Sequence, residues 1–123
     1  MARILVIDDV PDMRKLIQNT LETAGHEVAC AGNGKEGLAK FSAQPADLVI
    51  TDLIMPGTEG METILKLRAA APDVKILAIS GAPKEWMILK MAEYNGANKT
   101  LAKPFKLDEL TGAVETLLRP QSP

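Results

Sequence analysis

The residues whose types and spacing could do chemistry are the adjacent pair Asp8 and Asp9, then Asp52, Ser80 and Lys103. Each stands just past a short apolar run. Three carboxylates gathered at one place would repel in pairs by roughly 4 kcal/mol at about 4 Å and an effective dielectric of about 20. Such a cluster raises a pKa or recruits a compensating charge. Lys103 offers one positive charge, and a hard divalent cation would offer two more. Oxygen donors without a His or Cys cluster suit Mg²⁺ or Mn²⁺ and argue against zinc. Asp52 is the candidate nucleophile, because a carboxylate can attack phosphorus and form an acyl phosphate. The cation and Lys103 would then neutralise the charge spreading over the equatorial oxygens, and Ser80 could donate a hydrogen bond to one of them.

Positioning these residues requires elements that end at a common rim. Residues 3–7, 27–31, 47–51, 75–79 and 99–102 are short and rich in apolar side chains, as buried parallel strands are. Between them Met13, Leu16, Ile17, Leu21 and Ala24 recur at helical spacing, as do Leu38 with Phe41, Met61 with Ile64 and Leu65, and Leu107, Leu110, Val114, Leu117 and Leu118. Pro11 fits a first helical turn, Gly25 a helix end, and Asp108 and Glu109 the start of the last helix, where the dipole favours acids. Gly32-Asn33-Gly34-Lys35 lacks the spacing of a phosphate loop and reads as a helix-leading turn. The alternation makes five βα units, hence an α/β fold: a doubly wound five-stranded parallel sheet with five helices, whose ligands belong at the carboxyl ends of the strands. Residues 1–119 form the expected domain and residues 120–123 a short C-terminal tail.

With 14 Lys+Arg against 16 Asp+Glu the formal net charge is -2, so no electrostatic footprint for nucleic-acid binding is present. The first apolar run is too short for membrane insertion, and a cytoplasmic location is expected. Cys30 reads as a small packing residue, His26 as a turn residue, and Lys66, Arg68 and Lys90 as parts of solvated faces. The stretch after Ser80 carries Trp86, Met87, Ile88, Leu89, Met91 and Ala92, more apolar residues than one buried stripe needs. It reads either as a wide core face or as a partner surface.

Val6-Ile7-Asp8-Asp9, Thr51-Asp52-Leu53-Ile54-Met55-Pro56-Gly57, Ile79-Ser80-Gly81 and Ala102-Lys103-Pro104-Phe105 together resemble the signature blocks of the response regulator receiver (CheY-like) domains of two-component signal transduction, over nearly the whole chain. The resemblance implies a flavodoxin-like strand order of 2-1-3-4-5. It implies Asp52 as phosphoacceptor, Asp9 and Asp52 as direct Mg²⁺ ligands, Asp8 acting through metal-bound water, and the carbonyl of Ile54 as a further ligand. Ser80 would follow the phosphoryl group, Lys103 would pair with one of its oxygens, and the Lys103-Pro104 bond would be cis. A sensor histidine kinase or a histidine phosphotransfer protein would supply the phosphate, and a downstream protein target would read the altered surface. The domain would be a phosphoacceptor switch with self-catalysed transfer, standing alone or cut from a longer protein, and not a turnover enzyme.

Two departures stand out. Thr100 occupies the place where many members have an aromatic switch residue, which leaves either Ser80 and its loop to carry the signal, the favoured reading, or signalling by simple phosphoryl occupancy. Ile54 and Ala82 offer no acid or amide to orient an attacking water, so a long-lived phosphoaspartate is expected. The rival readings are a phosphorylation-independent pseudo-receiver, against which the intact set of five residues argues, and a phosphatase of the haloacid-dehalogenase type, whose Asp-x-Asp motif is missing.

Overall fold

The computed structural model describes residues 2–53, 59–81, 90–93 and 95–119. Five strands, β1 (Arg3–Ile7), β2 (Glu27–Ala31), β3 (Leu48–Asp52), β4 (Lys75–Ser80) and β5 (Lys99–Ala102), form one sheet in the order β2-β1-β3-β4-β5. Every pairing is parallel. The helices are α1 (Pro11–Thr23), α2 (Gly34–Ala43), α3 (Glu59–Ala70), α4, described over residues 90–93, and α5 (Leu107–Leu118). The strand order reverses at β1 and β3, and that switch point is where such sheets place their ligands.

Strand side chains alternate between two cores, as the pleat requires. Leu5, Ile7, Val49, Ile76 and Ala78 face a cluster completed by Phe41, Ile64, Leu67 and Ala92, under α2, α3 and α4. Ile4, Val6, Leu48, Ile50, Leu77 and Ile79 face the other, completed by Ile17, Leu21, Leu110 and Val114 under α1 and α5. Both faces of β1, β3 and β4 are therefore buried, which explains their unbroken apolar runs.

Local signals account for the helix ends. Pro11 is the first residue of α1, and Gly25, at φ 98, turns the chain out of it in the left-handed region. The Asn33 side chain accepts the Glu36 amide at 2.8 Å and caps α2. At α5 the Glu109 carboxylate accepts the Lys106 amide at 2.8 Å.

Some expectations need correction. Leu16, Leu65 and Leu107 are 43%, 49% and 44% exposed, and Ala24 is exposed at the α1 C-cap. The buried stripes are narrower than the spacing suggested, and in α3 they centre on Ile64 and Leu67 with the buried Thr63. β3 runs one residue later than expected and β4 one longer, so Asp52 and Ser80 are the last residues of their strands and not the first beyond them. In the fourth helical segment Met91 is 54% exposed and Ala92 is buried, while Trp86, Met87, Ile88 and Leu89 lie outside the described residues.

Arg68 is not on a solvated face. Its guanidinium donates to the carbonyls of Pro72 at 2.8 Å, Val74 at 2.7 Å and Gly96 at 2.6 Å and to Asn98 Oδ1 at 2.8 Å. Asn98 Oδ1 also accepts the Ile76 amide at 2.8 Å. One side chain thus ties the α3–β4 turn to the α4–β5 turn, at the end of the sheet remote from the acidic rim. Arg68→Ala is expected to cost about 2–3 kcal/mol, because several partly buried carbonyls lose charge-assisted partners together. Urea unfolding would measure it, and a cost under about 0.5 kcal/mol would mean that water replaces the guanidinium without loss.

Candidate functional site

The polar rim is assembled by four consecutive strands of the sheet order. β1 ends at Ile7 and delivers Asp8 and Asp9, β3 ends in Asp52, β4 ends in Ser80, and β5 stops one residue before Lys103. Asp8, Asp52 and Ser80 are 1%, 5% and 1% exposed. Asp9 is half-buried. Asp52 pairs with Ile79 in the β3–β4 ladder, and the Leu53 amide donates to the Ile79 carbonyl at 2.8 Å, so the backbone around Asp52 is held on the β4 side.

Lys103 Nζ lies 2.7 Å from Asp52 Oδ2 and 3.4 Å from Asp8 Oδ2. Its reach depends on two backbone features. The Lys103 amide donates to the Ser80 carbonyl at 2.7 Å, extending the β4–β5 pairing, and Gly81 lies against the aliphatic stem, where an added Cβ would come 3.3 Å from Lys103 Cδ. The Lys103-Pro104 peptide bond is cis. Asp8 is fixed on three sides: its amide donates to the Ala31 carbonyl at 3.1 Å, its Oδ1 accepts the Val10 amide at 2.9 Å, and its carbonyl accepts from Arg14 Nη1 at 2.8 Å.

Oxygen atoms of Asp8, Asp9 and Asp52, one from each, lie within 4.8 Å of one another. Three carboxylates at such spacing, two of them buried, make a hard, anionic, oxygen-only donor set, which fits Mg²⁺ or Mn²⁺. Electrostatics point the same way. Burial pushes the Asp8 carboxyl above the usual carboxylate range, and the Asp52 charge adds to this, against the lowering effects of the Val10 amide and Lys103. Burial also works against the charge on Lys103, yet the hydrogen bond to Asp52 and the charges of Asp52 and Asp8 outweigh it and raise that pKa. The pocket holds more negative charge than one ammonium offsets.

A pH dependence follows from Asp8. Because its folded pKa is raised, the folded protein binds that proton more tightly than the unfolded chain does. The metal-free protein should gain stability as pH falls through the raised value towards the ordinary 3.8, the reverse of a carboxylate whose pKa is lowered on folding. Chemical unfolding in EDTA across that window checks it: Asp8→Asn should be the more stable protein at neutral pH and should lose this part of the slope. Equal slopes in both proteins would contradict the assignment.

The structure brings Asp8, Asp9, Asp52 and Lys103 together, with Ser80 bonded through its backbone to Lys103. The Ile54 carbonyl and Ala82 lie outside the described residues, as do Met55, Pro56 and Gly57. Thr100 is half-buried on β5, paired in register with Ala78. Two neighbours are not evident from the sequence. Arg14 reaches back from α1 to the Asp8 carbonyl, and Gly60 brings α3 against the backbone of Asp52 and Leu53. A basic residue one turn into the helix that follows the acidic pair was the available signal for Arg14. Gly60 had none.

Comparison with known proteins agrees with this architecture. The family model of the response regulator receiver domain matches residues 4–115. The chain is 33% identical over 118 residues to the response regulator receiver protein CpdR of Brucella abortus, covering 96% of this chain and 98% of that one. It is 35% identical over 122 residues to the DNA-binding transcriptional regulator NtrC of Azospirillum brasilense, covering 99% of this chain but only 25% of that protein. Among solved structures, the response regulator TrrA of Thermotoga maritima in complex with Mg²⁺-BeF superposes with a TM-score of 0.86 at 36% identity, covering 96% of this chain and all of that one. Strand order, matched span and whole-length relatives agree, and the chain belongs to the response regulator receiver family of two-component signalling.

Proposed function

We propose that this domain is a Mg²⁺-dependent phosphoacceptor that takes a phosphoryl group onto Asp52 and signals through altered partner binding. The observation that carries the reading is the Lys103 ammonium held between Asp52 and Asp8 beside the half-buried Asp9. Asp8, Asp9 and Asp52 would hold the cation, with the Ile54 carbonyl as a further ligand outside the described residues. When bound, Mg²⁺ would neutralise carboxylate and phosphoryl oxygens and so lower the electrostatic barrier between two anions.

The chain's own residues then have distinct tasks. A carboxylate oxygen of Asp52 attacks phosphorus as the bond from phosphorus to the donor's leaving atom breaks. Lys103, already a hydrogen-bond partner of Asp52, stabilises the charge that develops on the transferred group. Burial of Asp52 limits competing water, and Ser80, one strand away, offers a hydroxyl to a phosphoryl oxygen. Residues 1–119 would constitute the domain and 120–123 a tail outside the described residues. The donor would be a sensor histidine kinase or histidine phosphotransfer protein and the reader a downstream protein, all in the cytoplasm. Among the described residues no helix is long and apolar enough to cross a membrane.

Incubation with phosphoramidate and Mg²⁺, followed by intact mass, tests the reading. One phosphoryl adduct is expected, absent in EDTA and absent in Asp52→Asn, with a half-life of minutes or longer because neither Ile54 nor Ala82 can orient water. No adduct would favour a phosphorylation-independent binding module. Sustained turnover of a phosphomonoester would favour a phosphatase, and a half-life of seconds would remove the slow-hydrolysis part.

A further inference from the structure

Arg14 carries a task that neither the fold nor the phosphoacceptor chemistry accounts for. It sits in the second turn of α1, is half-buried, and commits a guanidinium hydrogen bond of 2.8 Å to the carbonyl of Asp8. That carbonyl belongs to the peptide joining Asp8 to Asp9. Holding it restrains the plane of that peptide, and with it the backbone from which both carboxylates project.

The guanidinium is itself confined. Gly32 opposes it so closely that an added Cβ would lie 3.3 Å from Arg14 Nη1 and 3.7 Å from Glu36 Oε1. Glu36 Oε1 accepts the Gly32 amide at 2.6 Å. That hydrogen bond pulls the Glu36 carboxyl below its usual range, and the charges of Lys40 and Arg14 add to it. The β2–α2 corner thus presents a glycine that leaves room and a carboxylate whose charge attracts the guanidinium, while β2 also accepts the Asp8 amide through the Ala31 carbonyl at 3.1 Å. Asp8 is gripped at both its amide and its carbonyl by groups that take no part in the chemistry.

We propose that Arg14 is a positioning residue for the cation site, holding the Asp8–Asp9 peptide in the orientation that lets both carboxylates face Asp52, with the Gly32–Glu36 corner as its seat. The proposal rests on the reading of the acidic cluster as a cation site. Groups that orient metal ligands without touching the metal change affinity by about tenfold or more when removed.

The test uses the full chain with Arg14→Met, Arg14→Lys and Glu36→Gln. Two readouts are taken: Mg²⁺ affinity by titration calorimetry and backbone order at Asp9 by ¹⁵N relaxation without metal. Arg14→Met should weaken Mg²⁺ binding by about tenfold and lower the order at Asp9. Arg14→Lys, which keeps a charged donor, should recover at least half of the loss on a logarithmic scale. An affinity for Arg14→Met within a factor of about two of the parent, with Asp9 unchanged, overturns the proposal. So does Arg14→Lys performing no better than Arg14→Met, since a charged donor at this position would then contribute nothing. If Arg14→Met fails to melt cooperatively, Glu36→Gln decides: about twofold weaker binding supports the proposal, and parental affinity overturns it. A parent that does not bind Mg²⁺, with Asp9 still loosened in Arg14→Met, would defeat the cation-site reading while leaving the positioning role standing.

Discussion

Lys103→Met should move stability and metal affinity in opposite directions. Without metal, the substitution leaves Asp8 and Asp52, whose side chains are 2% and 5% exposed, without their shared ammonium at 3.4 Å and 2.7 Å. Removing one partner from a buried ionic cluster costs about 3–5 kcal/mol, and the lower figure applies here because the lysine is partly exposed. On the proposed reading Mg²⁺ would compete with Lys103 for the same carboxylate charge. Deleting the ammonium removes a repulsion worth about 1 kcal/mol even at a water-like dielectric, so Mg²⁺ should bind about fivefold more tightly. Adduct formation on Asp52 should nonetheless collapse, because the Ser80 hydroxyl that remains carries no positive charge to offset the one developing on the transferred group. Urea unfolding in EDTA, Mg²⁺ calorimetry and intact mass read the three effects. A lysine that merely braced the fold would lower stability and Mg²⁺ affinity together, and that pattern would sink the electrostatic account.

The legibility of this site in the sequence follows from what kind of group each part uses. Asp8, Asp9 and Asp52 announce themselves because a buried parallel strand has an unbroken apolar run, and an acid that closes such a run must stand at the strand's carboxyl end. The turn that leads into α2 is also legible over residues 32–35, and within it Asn33 caps the helix. Helix faces are less so. Apolar spacing shows that a stripe exists but not how far it extends round the helix, which is why spacing counts the exposed Leu16 and Leu65 as internal and passes over the buried Leu67. Least legible are contacts whose other half is main chain. Arg68 and Arg14 bind carbonyls, and a carbonyl has no letter in the sequence, so Arg68 reads as part of a solvated face and the sequence names no partner for Arg14 until the backbone they hold is seen.

Gly60 is the extreme of that blindness and yields the second large expectation. An alanine Cβ there would lie 2.5 Å from Leu53 Cα and 2.7 Å from both the Asp52 and Leu53 carbonyl oxygens. All three are backbone atoms, so no side chain can swing aside; either α3 or the end of β3 must move. Helix propensity argues the other way, since alanine is favoured over glycine inside a helix by about 1 kcal/mol. Gly112 in α5 provides the internal control: nothing lies within 4 Å of its added Cβ, so Gly112→Ala should stabilise by about 0.5–1 kcal/mol. Gly60→Ala should instead destabilise by about 2–3 kcal/mol, as overpacking does where the surroundings cannot yield. The displacement falls on the carbonyl of Asp52, the proposed phosphoacceptor. Adduct formation should therefore slow by about tenfold to a hundredfold, measured at a temperature where circular dichroism shows the variant fully folded. If Gly60→Ala proved as stable as Gly112→Ala, or phosphorylated at the parental rate, the close approach of α3 would have no part in holding Asp52.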